Sequence, residues 1–473
     1  MVVALVTIPH VIAGLGTERF GILTVAWVVI GYFNLFDLGF GRALTKLVAE
    51  RLGSRDEEVP ALFWTAILLM FGLGVAGAGV LYLVTPWLVQ GVLRIPPELQ
   101  GEAVRSFHLL ALSLPWVIST AGLLGTLEAN QSFGLVNALR VPMGIFNYVA
   151  PLFVLPFSSS LVPVVALLAA SRVVSWAGHL AGCLHALPVL RGRVAVDWGR
   201  ARALARFGGW MTVSNAVSPL MTNLDRFFIG SLISMAAVAY YVTPYELVVK
   251  LVVVPNALMA VLFPAFSATF LRDRAETAAL FGRGFRAIFI ALFPVTLVMI
   301  TLAHEGMSLW LGEEFARQSS PVLRWLAAGV FVNCLAQVPF AFLQGVGRPD
   351  ITGKLHLVEL PLYAMAIWVL AGRFGIEGVA IAWLLRVSLD AAALFVTARR
   401  FIPSGRESFR NASILVGAAL ASFALGAVQG ALLGKAAFLT VALGCFVLVA
   451  WRHILVPSER AYVQQLRIVP TTR

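Results

Sequence analysis

The sequence predicts an all-α polytopic membrane protein of about 14 transmembrane helices, in two six-helix lobes followed by a terminal helix pair. Three observations predict it. Hydrophobic residues make up 60% of the chain and charged residues only 12%, about half the charged share of a soluble domain; mean hydropathy is +0.89. The apolar runs are continuous and long rather than alternating, which fits helices and not a barrel. Lys and Arg fall between these runs with a periodic side preference.

The spans follow in order. Met1–Gly14 is too short to cross a bilayer, since about 20 residues are needed, and it lacks a basic flank and a cleavage site; we expect the natural start to lie upstream, with span 1 truncated. Gly16–Phe20 is expected to turn outside, and span 2 runs over Gly21–Leu38 into the basic, amphipathic DLGFGRALTKLVAERLG. Spans 3–6 cover about Ala61–Val84, Val104–Leu124, Val141–Pro156 and Leu161–Leu187. The arginine-rich stretch 191–206 separates an N-lobe (1–190) from a C-lobe (207–398). Span 7 begins at Phe207, and span 8 ends near Phe266 after a turn at Ser234. Spans 9–12 cover about Ala287–His304, Val322–Leu343, Leu355–Ala371 and Val379–Thr397, with EGMSLWLGEEFARQSS and GRFGIEG as outer loops. Spans 13 and 14 lie within 411–454, and 455–473 is a basic tail.

Charge tests this map. Of 35 Lys and Arg, 24 fall on the inner side, seven outside and four within spans, as the positive-inside rule requires with both termini in the cytoplasm. The net charge of +12 therefore needs no nucleic-acid partner. Cys183, Cys334 and Cys445 form no ligand spacing and are expected as inert core residues; no metal site is expected, and His10, His108, His179 and His185 show no ligand pattern.

An internal repeat is also legible. QSFGLVNALRVP (Gln131–Pro142) lies over DITGKLHLVELP (Asp350–Pro361), matching Arg140 with Glu359, and AASRVVSWA over WLLRVSLDA matches Arg172 with Arg386. Spans 4–6 thus repeat as spans 10–12 in the same sense, related by an axis along the membrane normal.

Charges inside spans are costly, about 2.5–3.5 kcal/mol each on the insertion scale, and rarely face lipid. On span 7, Asn215, Ser218, Thr222 and Asp225/Arg226 share one helical face; on span 8, Glu246 and Lys250 are i, i+4 neighbours. Arg226 and Lys250 are candidate contacts for an anionic cargo, because guanidinium and ammonium groups bind phosphate oxygens. Asp225 and Glu246 would hold these cations between cargoes, or bind H⁺ or Na⁺; the alternative is pairs that only fix packing. Arg42 and Asp37, where span 2 meets the cytoplasm, fit an interfacial flank or an inner gate. Arg172 and Arg386 are read as buried cations paired within each lobe, with Asp390 one turn from Arg386. Glu359 is a candidate ion carrier.

IPHVIAGLGTERFGILTVAW, FNLFDLGFGRALTKLVAE, NLDRFFIGSLISMAAVAYYVTPYELVVKL and AFLQGVGRPD together resemble bacterial polysaccharide repeat-unit flippases of the multidrug/oligosaccharidyl-lipid/polysaccharide exporter superfamily. The resemblance covers about Ile8–Thr397. It implies two lobes around a central cationic cavity, alternating access in the bacterial cytoplasmic membrane, and ion antiport. It implies as cargo an undecaprenyl-pyrophosphate-linked oligosaccharide handed on by glycosyltransferases to a polymerase. It implies no cofactor beyond a coupling H⁺ or Na⁺. Two other readings stand beside it: a drug/cation antiporter of the same superfamily, and a polytopic glycosyltransferase or polymerase, for which the short outer loops supply no acidic constellation.

Overall fold

In the computed structural model, residues 2–33, 40–49, 51–52, 55–192, 197, 223–270, 272–402, 405–428, 430–455 and 460 are described. Among them there is no strand, and the all-α class expected from composition holds. Nine described helices are long and apolar enough to cross a membrane. One of these carries both predicted spans 11 and 12.

By contact the chain divides into two units, Met1–Val242 and Thr243–Arg473. The first comprises α1 (Val2–Leu15), α2 (Thr17–Phe33), α3 (Phe40–Ala49), α4 (Val59–Trp87), α5 (Pro97–Ala129), α6 (Phe133–Val154), α7 (Leu161–Ala186) and α8 (223–232). Helix α9 (Met235–Val248) contains the division. In the second unit follow α10 (Val253–Thr269), α11 (Arg274–Thr301), α12 (Ala303–Leu311), α13 (Glu313–Gly345), α14 (Pro349–Arg399), α15 (Gly405–Val428) and α16 (Leu432–Val449). Of the basic stretch 191–206, only 191, 192 and 197 are described.

In the first unit, α4, α5 and α7 form the core. The α4–α5 crossing is close because Gly74 has no side chain: a Cβ there would collide with the backbone of Pro115. The amphipathic α3 lays Leu44 and Val48, both fully buried, into a cluster with Leu62, Phe63, Ile67 and Leu123. At the opposite end Glu102 gathers three elements. It pairs with Arg19 Nε at 3.1 Å, accepts from the Ser160 hydroxyl at 3.0 Å, and accepts from the Leu161 backbone N–H.

In the second unit Phe285, Phe289 and Phe293 recur every four residues on α11 and make one aromatic stripe. Phe293 meets Phe423 of α15 at 5.6 Å and Phe446 of α16 at 4.6 Å, so the terminal pair is fastened to α11. The buried Lys435 ammonium adds a pair with Glu305 of α12 at 2.7 Å.

The structure departs from the sequence expectation in three places. Thr17 already begins α2, so Gly16–Phe20 is no loop; only Gly16, at φ +82°, makes the turn. EGMSLWLGEEFARQSS is helical, divided between α12 and α13 at Gly312. Hydropathy marks only bilayer-deep segments, and helices whose ends are polar continue past them. Cys445 is exposed rather than in the core, unlike Cys183 and Cys334. An apolar run reads the same whether it faces protein or lipid, and α16 also exposes Leu433, Val441 and Leu448.

Candidate functional site

Arg172 lies eleven residues into α7, about 17 Å along its axis. Its Nη2 donates to Asn147 Oδ1 of α6 at 2.9 Å. Its Nε is buried and makes no hydrogen bond, and no carboxylate pairs with it among the described residues. A guanidinium at this depth is thus held by a neutral amide alone. Tyr148, next to Asn147, packs edge-on against Trp27 of α2 at 5.8 Å. One turn beyond Arg172, Trp176 packs against Trp116 of α5 at 5.0 Å. The indole Nε1 groups of Trp27 and Trp176 are buried without acceptors. The interior of the first unit therefore offers N–H donors and aromatic faces in excess of acceptors.

Asp225 and Arg226 lie on α8, 1% and 8% exposed. The Tyr241 hydroxyl donates to Asp225 Oδ2 at 2.8 Å, and Asp225 Oδ1 accepts from the Arg226 backbone N–H at 2.8 Å. Asp225 is therefore held between α8 and α9. Tyr241→Phe is expected to weaken this hairpin by about 1.5–3 kcal/mol, the range for a hydrogen bond to a charged group. The check is the thermal unfolding midpoint in detergent, which should fall; an unchanged midpoint would mean the bond carries no weight.

In the second unit, Lys250 donates to Glu246 Oε2 at 3.2 Å, and both side chains are part-exposed. Lys250 sits in a 3-10 turn, Val249–Val252, between α9 and α10. Pro255 explains the turn. It has no N–H for the Leu251 carbonyl and its ring crowds that group, so the helix tightens one turn earlier.

A denser cluster forms where α14 reverses. Glu359 and Arg386 are 27 residues apart and would stand about 40 Å apart on a straight helix, yet Glu359 Oε2 and Arg386 Nε are 3.5 Å apart. The chain doubles back at Gly375, whose φ of +59° and ψ of −140° suit only glycine. The reversal also brings in His356 and Asp390: His356, Glu359 and Asp390 each present one ligand atom within 4.8 Å of the others. Glu359 and Asp390 are both 7% exposed, and Glu359 Oε1 and Asp390 Oδ1 have no hydrogen-bond partner among the described residues. Arg386 also stands over the Tyr363 ring, 5.5 Å from its centre. With His356 neutral, one guanidinium and two carboxylates leave the cluster one negative charge in excess. A single proton or monovalent cation balances it.

The structure thus groups Glu359, Asp390 and Arg386, and separately Glu246 with Lys250. Arg386 meets Glu359 across the hairpin rather than Asp390 along its own helix. Asp37, Asn215, Ser218 and Thr222 lie outside the described residues, as does the side chain of Arg42 on α3. Sequence reasoning missed Asn147 and His356. The His356-x-x-Glu359 spacing, one turn on one face, was available to find the second.

Residues 1–270 match the family model described as "Polysaccharide biosynthesis protein". A Shigella flexneri protein named "Putative O-antigen transporter" is 29% identical over 399 residues, covering 83% of this chain and 92% of the relative. Among solved structures, an inward-facing multidrug resistance MATE family transporter of the MOP superfamily is similar in fold, with a TM-score of 0.72 at 16% identity over 86% of this chain and 94% of that chain. So is lipid II flippase MurJ in an inward closed conformation, with a TM-score of 0.67 at 12% identity over 94% of this chain and 97% of that chain.

Proposed function

Because the chain belongs to the polysaccharide biosynthesis protein family, we propose that it is the flippase that carries polyprenyl-pyrophosphate-linked oligosaccharide repeat units from the inner to the outer leaflet by alternating access. It is a multi-pass membrane transporter and not an enzyme, as its relatives are named transporter and flippase. The bacterial cytoplasmic membrane, with both termini inside, is the setting that fits the charge map. Glycosyltransferases on the inner side supply the cargo, and a polymerase outside consumes it.

Arg172 carries this reading. A cation at membrane depth with no acid partner among the described residues is best satisfied by an anion that arrives with the cargo. Pyrophosphate presents the paired oxygens that a guanidinium fork binds. Trp27 and Trp176 offer stacking faces and donors suited to sugar hydroxyls. Lys250, Arg226 and Arg42 serve as further cationic contacts, with Glu246 and Asp225 holding Lys250 and Arg226 between cargoes. The coupling cation, H⁺ or Na⁺, binds at His356, Glu359 and Asp390 and closes the excess charge there. A drug antiporter would favour an acid-dominated cavity for its cationic cargo, against which the charge of Arg172, unpaired among the described residues, argues.

Deletion of the gene tests the reading. Lipid-linked repeat units should accumulate on the inner leaflet and surface glycan should disappear; normal surface glycan in that strain would sink it.

A further inference from the structure

Phe285 of α11, Leu335 of α13, Phe395 of α14 and Leu420 of α15 line a cavity of about 530 Å³ inside the second unit. None of its lining residues is His356, Glu359, Arg386 or Asp390. The volume falls in the range of small-molecule sites. Its walls are mostly apolar, with hydroxyls from Ser388 and Ser413, and its charged groups are Arg399, in the last turn of α14, and Arg410, early in α15. Neither arginine has an ion-pair or hydrogen-bond partner among the described residues.

The dimensions are those of half a bilayer. Along α14 the lining runs from Ser388 to Arg399, about 17 Å at helical rise, against a hydrocarbon core about 30 Å thick. The charged end coincides with the close of α14 and the opening of α15, so it lies at a membrane boundary and the apolar end points toward the midplane. Space for a chain is left by small residues: Ala391, Ala392, Ala412 and Gly417 line the cavity, and a side chain begun at Gly417 would meet open space.

We propose that this cavity is a binding site for one anionic phospholipid. An acyl chain occupies the apolar slot between α11, α13, α14 and α15, and the phosphate is held by Arg399 and Arg410. Basic pockets between transmembrane helices at the inner face recognise lipid headgroups in this way, and guanidinium forks bind phosphate oxygens in pairs. The bound lipid fills a gap through which α15 would otherwise contact α11 and α14 poorly. The site thus makes seating of the terminal helix pair depend on membrane composition.

Native mass spectrometry of the purified full chain, with phosphatidylglycerol or phosphatidylcholine added, tests the proposal. The wild type should retain one phosphatidylglycerol with at least tenfold preference over phosphatidylcholine. Arg399→Gln with Arg410→Gln should remove that preference, whereas Arg399→Lys with Arg410→Lys should keep part of it. Gly417→Trp leaves both arginines in place and fills the cavity, so it should lower retention even if the double glutamine variant does not fold. Equal retention of the two lipids, or retention unchanged in the glutamine and tryptophan variants, overturns the proposal. So does displacement of phosphatidylglycerol by an equimolar polyprenyl monophosphate, which would make the cavity a slot for the cargo's tail.

Discussion

Arg172→Ala is expected to reduce glycan export about 10- to 100-fold. The figure follows from losing one charge-assisted hydrogen bond to the cargo, at about 1.5–3 kcal/mol, with every 1.4 kcal/mol worth about tenfold. Arg172→Lys should recover part of it, because an ammonium keeps the charge but not the fork. Stability separates this role from a merely structural one. A part-buried guanidinium at membrane depth whose one hydrogen-bond partner among the described residues is Asn147 is costly to the fold, and apolar replacements of buried charges often stabilise. Arg172→Met should therefore raise the thermal unfolding midpoint, or leave it unchanged, while reducing export as far as the alanine does. If the methionine variant exports at the wild-type rate, or unfolds early, Arg172 does not meet the cargo.

Glu359→Gln is expected to uncouple transport from its driving ion. Two carboxylates whose ligand atoms lie within 4.8 Å of each other repel by at least about 3 kcal/mol at an effective dielectric constant of about 20. Arg386 offsets one of the two charges. The glutamine removes the other, and the cluster then balances with no added cation. In proteoliposomes, flipping driven by an imposed H⁺ or Na⁺ gradient should fall at least tenfold, with basal flipping retained. Asp390→Asn should act in the same way. Gradient-driven flipping at the wild-type rate in both variants would remove the cluster from the coupling mechanism. Which of the two gradients drives the wild type identifies the ion.

The fold was legible because membrane insertion leaves a strong imprint on composition: apolar runs, and basic residues on one side of them. The sites were less legible, for reasons that differ by residue. Glu359 and Asp390 stood out as charges in apolar spans. Their grouping with His356 and Arg386 depends on the register of a hairpin set by Gly375, and one sequence carries no record of that register. Pairing of Arg386 within its own lobe was expected, but that its partner is Glu359 across the hairpin could not be read for the same reason. Asn147 passed unnoticed because an uncharged amide hardly disturbs hydropathy, although it alone anchors Arg172. The ends of the spans were placed short because a hydropathy window stops at the bilayer boundary. Glu313–Gly345 extends well past the predicted Val322–Leu343 at its start.

The two arginines that the sequence repeat aligns have different partners. Arg172 and Arg386 occupy corresponding places, but where the second copy carries Glu359 the first carries Arg140. Arg386 is neutralised and sits beside a spare carboxylate; Arg172 has only Asn147. Among the described residues, His356, Glu359 and Asp390 form the one such cluster, and it lies in the second unit with Arg386 rather than in the first with Arg172.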